Sequence, residues 1–226
     1  MKIPAPVTTK ALLTAGLVAG PLFLTTWLVQ VLVRDGFDPR KHTLSLLSLG
    51  EGGWVQISNF VVTGVLFAAC AAGLHRAEVP GTRWGPRLVA LLGLGLILGG
   101  VFVTDPGAGF PAGAPPGAPE EITVTGMLHS AGAGIAMVSG IAATIVYARA
   151  FRRAGDRHDT RAARACVLAA VAAGAVLIYP SPDGLSLRLV AASAILYAFV
   201  AAVAAHARAR VASPETPVTP SERSAR

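Results

Sequence analysis

Seven polar residues lie within or beside long apolar runs, and their types can do chemistry: Ser45, Ser48, Gln56, Asn59, Asp105, His129 and Arg188. Two hydroxyls, a carboxylate and an imidazole are the parts of a nucleophile–base–carboxylate relay, or of part of a metal site. Gln56, Asn59 and Thr63 are spaced i, i+3, i+7, and Thr125 and His129 are four apart, so each set shares one face if its segment is helical. His129 is the only histidine well inside an apolar run, and an imidazole there needs a hydrogen-bonding partner. A catalytic zinc usually has three protein ligands, and one His with one Asp falls short; His42 sits beside Arg40 and Lys41 in a charged stretch. No metal and no cofactor is therefore expected. The chain has no G-x-S-x-G, H-E-x-x-H, Walker or Cys-x-x-Cys pattern. The same groups also have structural uses. Gln, Asn and Thr hydrogen-bond between helices, Asp105 before Pro106 can end a helix, and Arg188 can snorkel toward headgroups.

The elements that must position these residues follow from the distribution of charge. Of 226 residues, 53% are hydrophobic and 14% charged, against roughly 45–50% and 25% for a soluble domain. Windows 11–33, 52–75, 88–104, 122–148, 165–182 and 189–207 contain no Asp, Glu, Lys or Arg. Each falls in or near the roughly 17–25 residues of helix needed to cross about 30 Å of hydrocarbon. The pattern excludes a soluble enzyme, a secreted disulfide scaffold and a disordered chain. It predicts an all-α membrane bundle with transmembrane helices near 11–33, 55–75, 85–104, 124–148, 163–180 and 186–206. The first apolar run is longer than the roughly 7–15 residues of a signal-peptide core and no convincing cleavage site follows, so it reads as an uncleaved span. Cys70 and Cys166 fall in apolar windows and read as small packing residues.

The net charge of +7 does not form a stripe suited to nucleic acid; the basic residues sit in connections. Fifteen Lys and Arg fall on the side holding both termini and the connections after the second and fourth spans, and four on the other. By the positive-inside rule both termini are cytoplasmic, with which only an even number of spans is consistent, in a multi-pass inner-membrane protein. Trp54 and Tyr179 then fall at the outer interface, and Trp84 and Tyr147 at the inner one. The expected organisation is a cytoplasmic segment 1–10, a six-helix domain 11–206 and a disordered cytoplasmic tail 207–226. The first outer loop, about 34–54, reads as short and polar; the second, about 105–123, is too rich in proline and glycine to be helical; Pro180–Leu185 reads as a tight turn. Gly95 and Gly99, with Gly132, Ala136 and Gly140, repeat at intervals of four and predict a close approach of the third and fourth helices.

The stretches GFDPRKHTLSLLSLGEGGWVQISNFVVTG, WGPRLVALLGLGLILGGVFVTDPGAGFP and GMLHSAGAG resemble the bacterial membrane-protein family catalogued as domain of unknown function 998. The resemblance covers roughly residues 11–206 and rests on Ser45, Ser48, Trp54, Gln56, Asn59, Asp105, Phe110 with Pro111, and His129. It implies a six-helix inner-membrane protein and brings no activity with it.

Three functional classes stay open. One is a small transport, lipid-binding or accessory component whose outward-facing pocket, lined by Gln56, Asn59, Asp105, His129 and Arg188 and capped by the loop with Ser45 and Ser48, takes a lipid or small molecule. Another is a membrane-embedded hydrolase or lipid-modifying enzyme using that pocket. The last is a regulatory subunit docking through FRRAGDRHDTRAAR. The bilayer is the partner implied in every case, and protein partners stay open. The topology is testable directly: alkaline phosphatase fused at Gly155 should be inactive, and activity there would invert the orientation.

Overall fold

A computed structural model describes residues 7–78, 81–155, 157–178 and 184–212. Six helices are long and apolar enough to cross a membrane: α1 (Thr9–Val33), α2 (Gly53–Ala77), α3 (Trp84–Val101), α4 (Val124–Ala154), α5 (Arg157–Ile178) and α6 (Leu185–Ala212). The described residues contain no strand. Each helix packs on its neighbours in the chain, and α6 returns to α1, so the bundle closes into a ring. One end carries the connections 34–52 and 102–123 and is called the loop end. The other carries most of the arginines.

Glycine sets how tightly the ring closes. A Cβ on Gly95 would lie 2.5 Å from the backbone of both Gly132 and Ala136, and one on Gly64 2.5 Å from the Gly93 carbonyl. Helices α2, α3 and α4 therefore touch backbone to backbone, which only residues without side chains permit. Alanine-rich α5 is different. Only 17% of its apolar stretch is buried, against 50% for α2 and α3, and a Cβ on Gly174 would meet nothing within 4 Å. Inside the ring, Phe60, Phe23, Tyr197 and Phe67 form a column with successive ring centroids 5.6, 5.3 and 5.0 Å apart.

Several boundaries and placements differ from expectation. Helix α4 runs six residues past 148, and α5 begins at Arg157, so the basic connection is mostly helix broken at Gly155, whose φ of 82° is left-handed. Arginines do not stop a helix; they stop only its passage through hydrocarbon, and long side chains carry their charge to water. For the same reason α6 continues through Arg208 and Arg210 to Ala212, where Arg210 meets buried Asp159 of α5 at 3.1 Å. Trp54 and Trp84 are 70% and 60% exposed, but Tyr147 is 1% exposed. Its ring fills the space left by Gly85 and packs on Phe151 and Phe199. Cys70 and Cys166 are free and buried. Tyr179, most of the 180–185 turn and the tail from residue 213 lie outside the described residues.

The glycine contacts make opposite predictions for two alanine substitutions. Gly95→Ala must push α3 from α4 and should destabilise by about 1–3 kcal/mol, as overpacking does. Gly134→Ala, where a Cβ meets nothing within 4 Å, should be neutral or stabilising by up to about 1 kcal/mol. Thermal unfolding of both variants in one detergent checks the pair.

A capped cavity as the candidate functional site

The two connections at the loop end build one cap. Within 34–52 a short 3-10 helix, Leu44–Ser48, buries Leu44, Leu46 and Leu47. Leu46, Leu47 and Phe37 then share a small core with Phe110 of the second connection. The first loop is thus not the solvated polar segment its composition implied, because its leucines and phenylalanine have a partner 60 residues away in sequence. Polar contacts pin this core. Arg34 donates to the carbonyls of Leu49 (2.6 Å) and Leu47 (3.5 Å), and its guanidinium lies 5.6 Å from the Phe110 ring. Gly50 and Gly52, both at positive φ, leave room for that guanidinium.

His42 joins the two halves of the cap. Its Nδ1 accepts from the Asp38 N–H (2.9 Å), so Nε2 carries the proton and donates to the Ala108 carbonyl (3.1 Å). Ser186, on the first turn of α6, donates to the His42 carbonyl (2.5 Å). His42 is 4% exposed, although its sequence neighbours are charged. On the cap's surface, the Arg40 guanidinium hydrogen-bonded to Asp38 holds that carboxyl below its ordinary range.

Beneath the cap lies a cavity of about 100 Å³. Thr43, Leu44 and Ser45 form its roof, and helices α1, α2, α3, α4 and α6 its walls. The walls are mostly apolar: Phe23, Phe60, Leu92, Leu96, Leu196 and Met137. Its polar groups are Thr43, Ser45, His129, Ser193 and Tyr197. The hydroxyls of Thr43 and Ser45 are 3.2 Å apart, and Tyr197 hydrogen-bonds Ser193. Ala133, also lining the cavity, is exposed, so the cavity borders the flank of α4.

Of the seven residues singled out from the sequence, Ser45 and His129 line this cavity. The imidazole Nδ1 of His129 lies 2.9 Å from the Gly99 carbonyl and 3.0 Å from that of Phe102. Both are acceptors, so Nδ1 carries a proton and ties off the C-terminal end of α3. Its Nε2 has no hydrogen-bond partner among the described residues. Asp105 does not join it: the carboxylate accepts from the Thr123 hydroxyl (2.6 Å) and amide (3.1 Å), while that hydroxyl accepts from the Gly126 N–H (3.0 Å). Asp105 thereby secures the N-cap of α4, where a negative charge is favourable. Gly126 is the residue that lets the carboxylate sit there, since a Cβ would collide with it.

The other four lie elsewhere. Gln56 accepts from Gln30 (2.7 Å) and from Asn59 (3.3 Å), and Asn59 also donates to the Phe23 carbonyl (3.1 Å). Their shared face, read correctly from the i, i+3 spacing, is turned to α1 rather than to the cavity. Ser48 is buried in the cap, and Arg188 is half-buried on the first turns of α6. No Ser–His or His–Asp hydrogen bond forms among these groups, so the hydrolytic relay is not assembled, and no cluster of three metal-ligating residues occurs among the described residues. Sequence reasoning missed Arg34, Ser193 and Tyr197, and weighed His42 only as a metal ligand. Ser193 and Tyr197 carried a signal, because Leu189, Ser193 and Tyr197 recur every four residues along α6.

His42→Phe keeps the aromatic contact with Phe37 and Phe110 but leaves the Asp38 N–H and the Ala108 carbonyl without partners. The loss should be about 1–3 kcal/mol and local. Hydrogen exchange should rise across 34–52 and 105–123 and stay unchanged in α2 and α3; unchanged protection in both connections would show that His42 does not hold the cap.

The comparisons agree with the architecture and leave the chemistry to the site. No curated protein and no solved structure matches the chain. A family profile described as Protein of unknown function (DUF998) matches residues 17–206, which take in α2 to α5, most of α1 and α6, and both halves of the cap. With that match over most of its length, the chain belongs to the DUF998 family and is a multi-pass membrane protein.

Proposed function

We propose that this protein binds a neutral amphiphile in the capped cavity, with the loop end facing out of the cytoplasmic membrane. The observation that carries the reading is the lining of the cavity itself: free hydrogen-bonding capacity at the roof, and below it apolar side chains interrupted only by Ser193 and Tyr197, which hydrogen-bond each other. His129 sits five residues into α4 and Thr43 and Ser45 sit in the cap, whereas Met137 lies 13 residues in, about 12 Å deeper than His129 at 1.5 Å per residue. A ligand with a hydrogen-bonding head and an apolar body fits that gradient. The His129 Nε2 accepts from its head, the Thr43 and Ser45 hydroxyls donate or accept, and the aromatic column of Phe23 and Phe60 meets its body.

The volume, about 100 Å³, is of the order of cavities that hold a benzene-sized group. It admits a small amphiphile or one end of a longer one. Exposed Ala133 marks the side on which the ligand enters from the lipid. The orientation rests on the excess of Lys and Arg at the opposite end, which the positive-inside rule places in the cytoplasm. A lipid-binding or carrier role is favoured over hydrolysis because Asp105 is held by Thr123 and does not reach His129, and the Ser45 hydroxyl is bonded to Thr43 and not to the imidazole.

Native mass spectrometry of the detergent-solubilised protein, followed by extraction and identification of bound lipids and metals, tests this. The wild type should carry a neutral amphiphile. Ala133→Trp, placed at an exposed position so that folding is preserved, should carry at least about ten-fold less at an unchanged thermal transition. An empty wild type, or equal occupancy in the variant, would sink the proposal.

A further inference from the structure

The opposite end of the bundle holds surface clefts that share no lining residue with the capped cavity. Two adjoining clefts lie between α4 and α5, and a third lies on α4 alone. One of about 420 Å³ runs along Ile141, Ile145, Val167 and Val171 and reaches Arg149 and Arg152. A second, of about 510 Å³, is bounded by Arg152, Thr160, Arg164 and Leu168, and a third, of about 310 Å³, by Arg149, Arg152 and Arg153. The first two share both Arg152 and Val167 and make one groove along the α4–α5 seam, with the third beside its arginine end.

The spacing makes the groove amphipathic along its length. On α4, Ile141, Ile145 and Ala148 lead to Arg149 and Arg152 on one stripe, and on antiparallel α5 Arg164 leads to Val167, Leu168 and Val171 on another. Arginines gather at one end and branched apolar side chains at the other. The distance from Ile141 to Arg152 is 11 residues, or about 16 Å of helix, close to one leaflet, half of the roughly 30 Å hydrocarbon core. The apolar side chains are not covered by protein, since Ile145, Val167, Leu168 and Val171 are 42%, 47%, 68% and 64% exposed.

Arg149, Arg152, Arg153 and Arg164 form no ion pair among the described residues. Buried Asp159, the carboxylate at the start of α5, is turned to α6, where Arg210 and His206 meet it. We propose that this groove binds one anionic glycerophospholipid, its phosphodiester held by Arg149, Arg152 and Arg164 and one acyl chain laid between Ile145, Val167 and Val171. A guanidinium fork matches phosphate oxygens in pairs, and a zwitterionic headgroup would bring its own cation among the arginines.

The test is native mass spectrometry of the full-length protein in neutral detergent, titrated with dioleoyl phosphatidylglycerol or dioleoyl phosphatidylcholine, with a thermal scan of each variant to confirm folding. The wild type should take up one phosphatidylglycerol saturably and at least about five-fold more tightly than phosphatidylcholine. Arg152→Gln and Arg164→Gln should each weaken it about five-fold, the equivalent of the ~1 kcal/mol carried by one basic residue at an anionic surface. Val167→Trp should weaken it with no change of charge. Arg161→Gln, on α5 but outside the groove, should not. Equal losses in Arg161→Gln and Arg152→Gln would mean bulk surface charge and overturn the proposal. So would full binding by Val167→Trp, or displacement of the lipid by inorganic phosphate at equal concentration, which would mark a bare anion site. The neutral amphiphile of the capped cavity should be unaffected by the arginine variants, so the two sites succeed or fail separately.

Discussion

Helix ends are the constraint on which the loop end depends. Each α-helix leaves its first four N–H and last four C=O groups without internal partners, and close to hydrocarbon each unsatisfied group is costly. The cap is organised around meeting that demand. His129 ties off the last carbonyls of α3, Asp105 and Thr123 secure the first amides of α4, and Arg34 takes the carbonyls that follow the 3-10 helix. His42 and Ser186 then link the two connections to each other and to α6. Nearly every ionisable group that looked catalytic in the sequence is employed in this way. The exception is one edge of one imidazole, since Nδ1 of His129 is fixed by α3 and its other nitrogen is left beside the cavity.

Packing divides the bundle into a stiff part and a loose part. Contacts such as Gly64 with Gly93 and Gly95 with Gly132 bring α2, α3 and α4 to backbone contact, a geometry that leaves little freedom for sliding. The walls of the cavity on that side, Leu92, Leu96 and Gly99 on α3 and Ala136 on α4, are therefore held in register with the cap above them. Helix α5 has no such contacts, and its short alanine side chains do not fill the space against α4 or α6. Crevices lie along both flanks: the arginine-ended groove on the α4 side and an apolar cleft of about 350 Å³ between Cys166 and Phe199 on the α6 side. A position on the ring that protein does not fill is one that lipid can fill, which is why the loose helix and the exposed arginines coincide.

The six helices were legible because absence of charge over 17 or more residues leaves a chain few alternatives. The close approach of α3 and α4 was legible because glycine at intervals of four has few other reasons to recur. What failed were inferences that required knowing the neighbour. The spacing of Gln56 and Asn59 identified a shared face but not that α1, through Gln30 and the Phe23 carbonyl, would occupy it. Tyr147 sat at the depth of an interfacial aromatic and is instead buried, because Gly85 on α3 leaves a slot for its ring. The cap was read as polar because its small core is split between Phe37, Leu46 and Leu47 on one side and Phe110 on the other, and neither half is conspicuous alone. His129 stood out in the sequence because an imidazole inside an apolar run needs a partner, and the carbonyls of Gly99 and Phe102 supply it.

The two ends of the bundle differ in the sign of what they can hold, and burial decides the difference. The capped cavity has no Asp, Glu, Lys or Arg in its lining, and His129 is the only titratable imidazole there. Bringing a net charge into such a place costs several kcal/mol even after relaxation, and one imidazole and a few hydroxyls do not return it. A neutral head with one or two hydrogen bonds loses little on entry, because each bond to water is exchanged for one to Ser45, Thr43 or His129. At the arginine end the balance reverses. Arg149, Arg152 and Arg164 are exposed, so a phosphate meets them while still partly solvated and its desolvation stays small, while the chain beside it covers apolar side chains that protein leaves bare. Depth of burial of the head is thus the physical ground on which the two proposed sites would tell neutral from anionic amphiphiles.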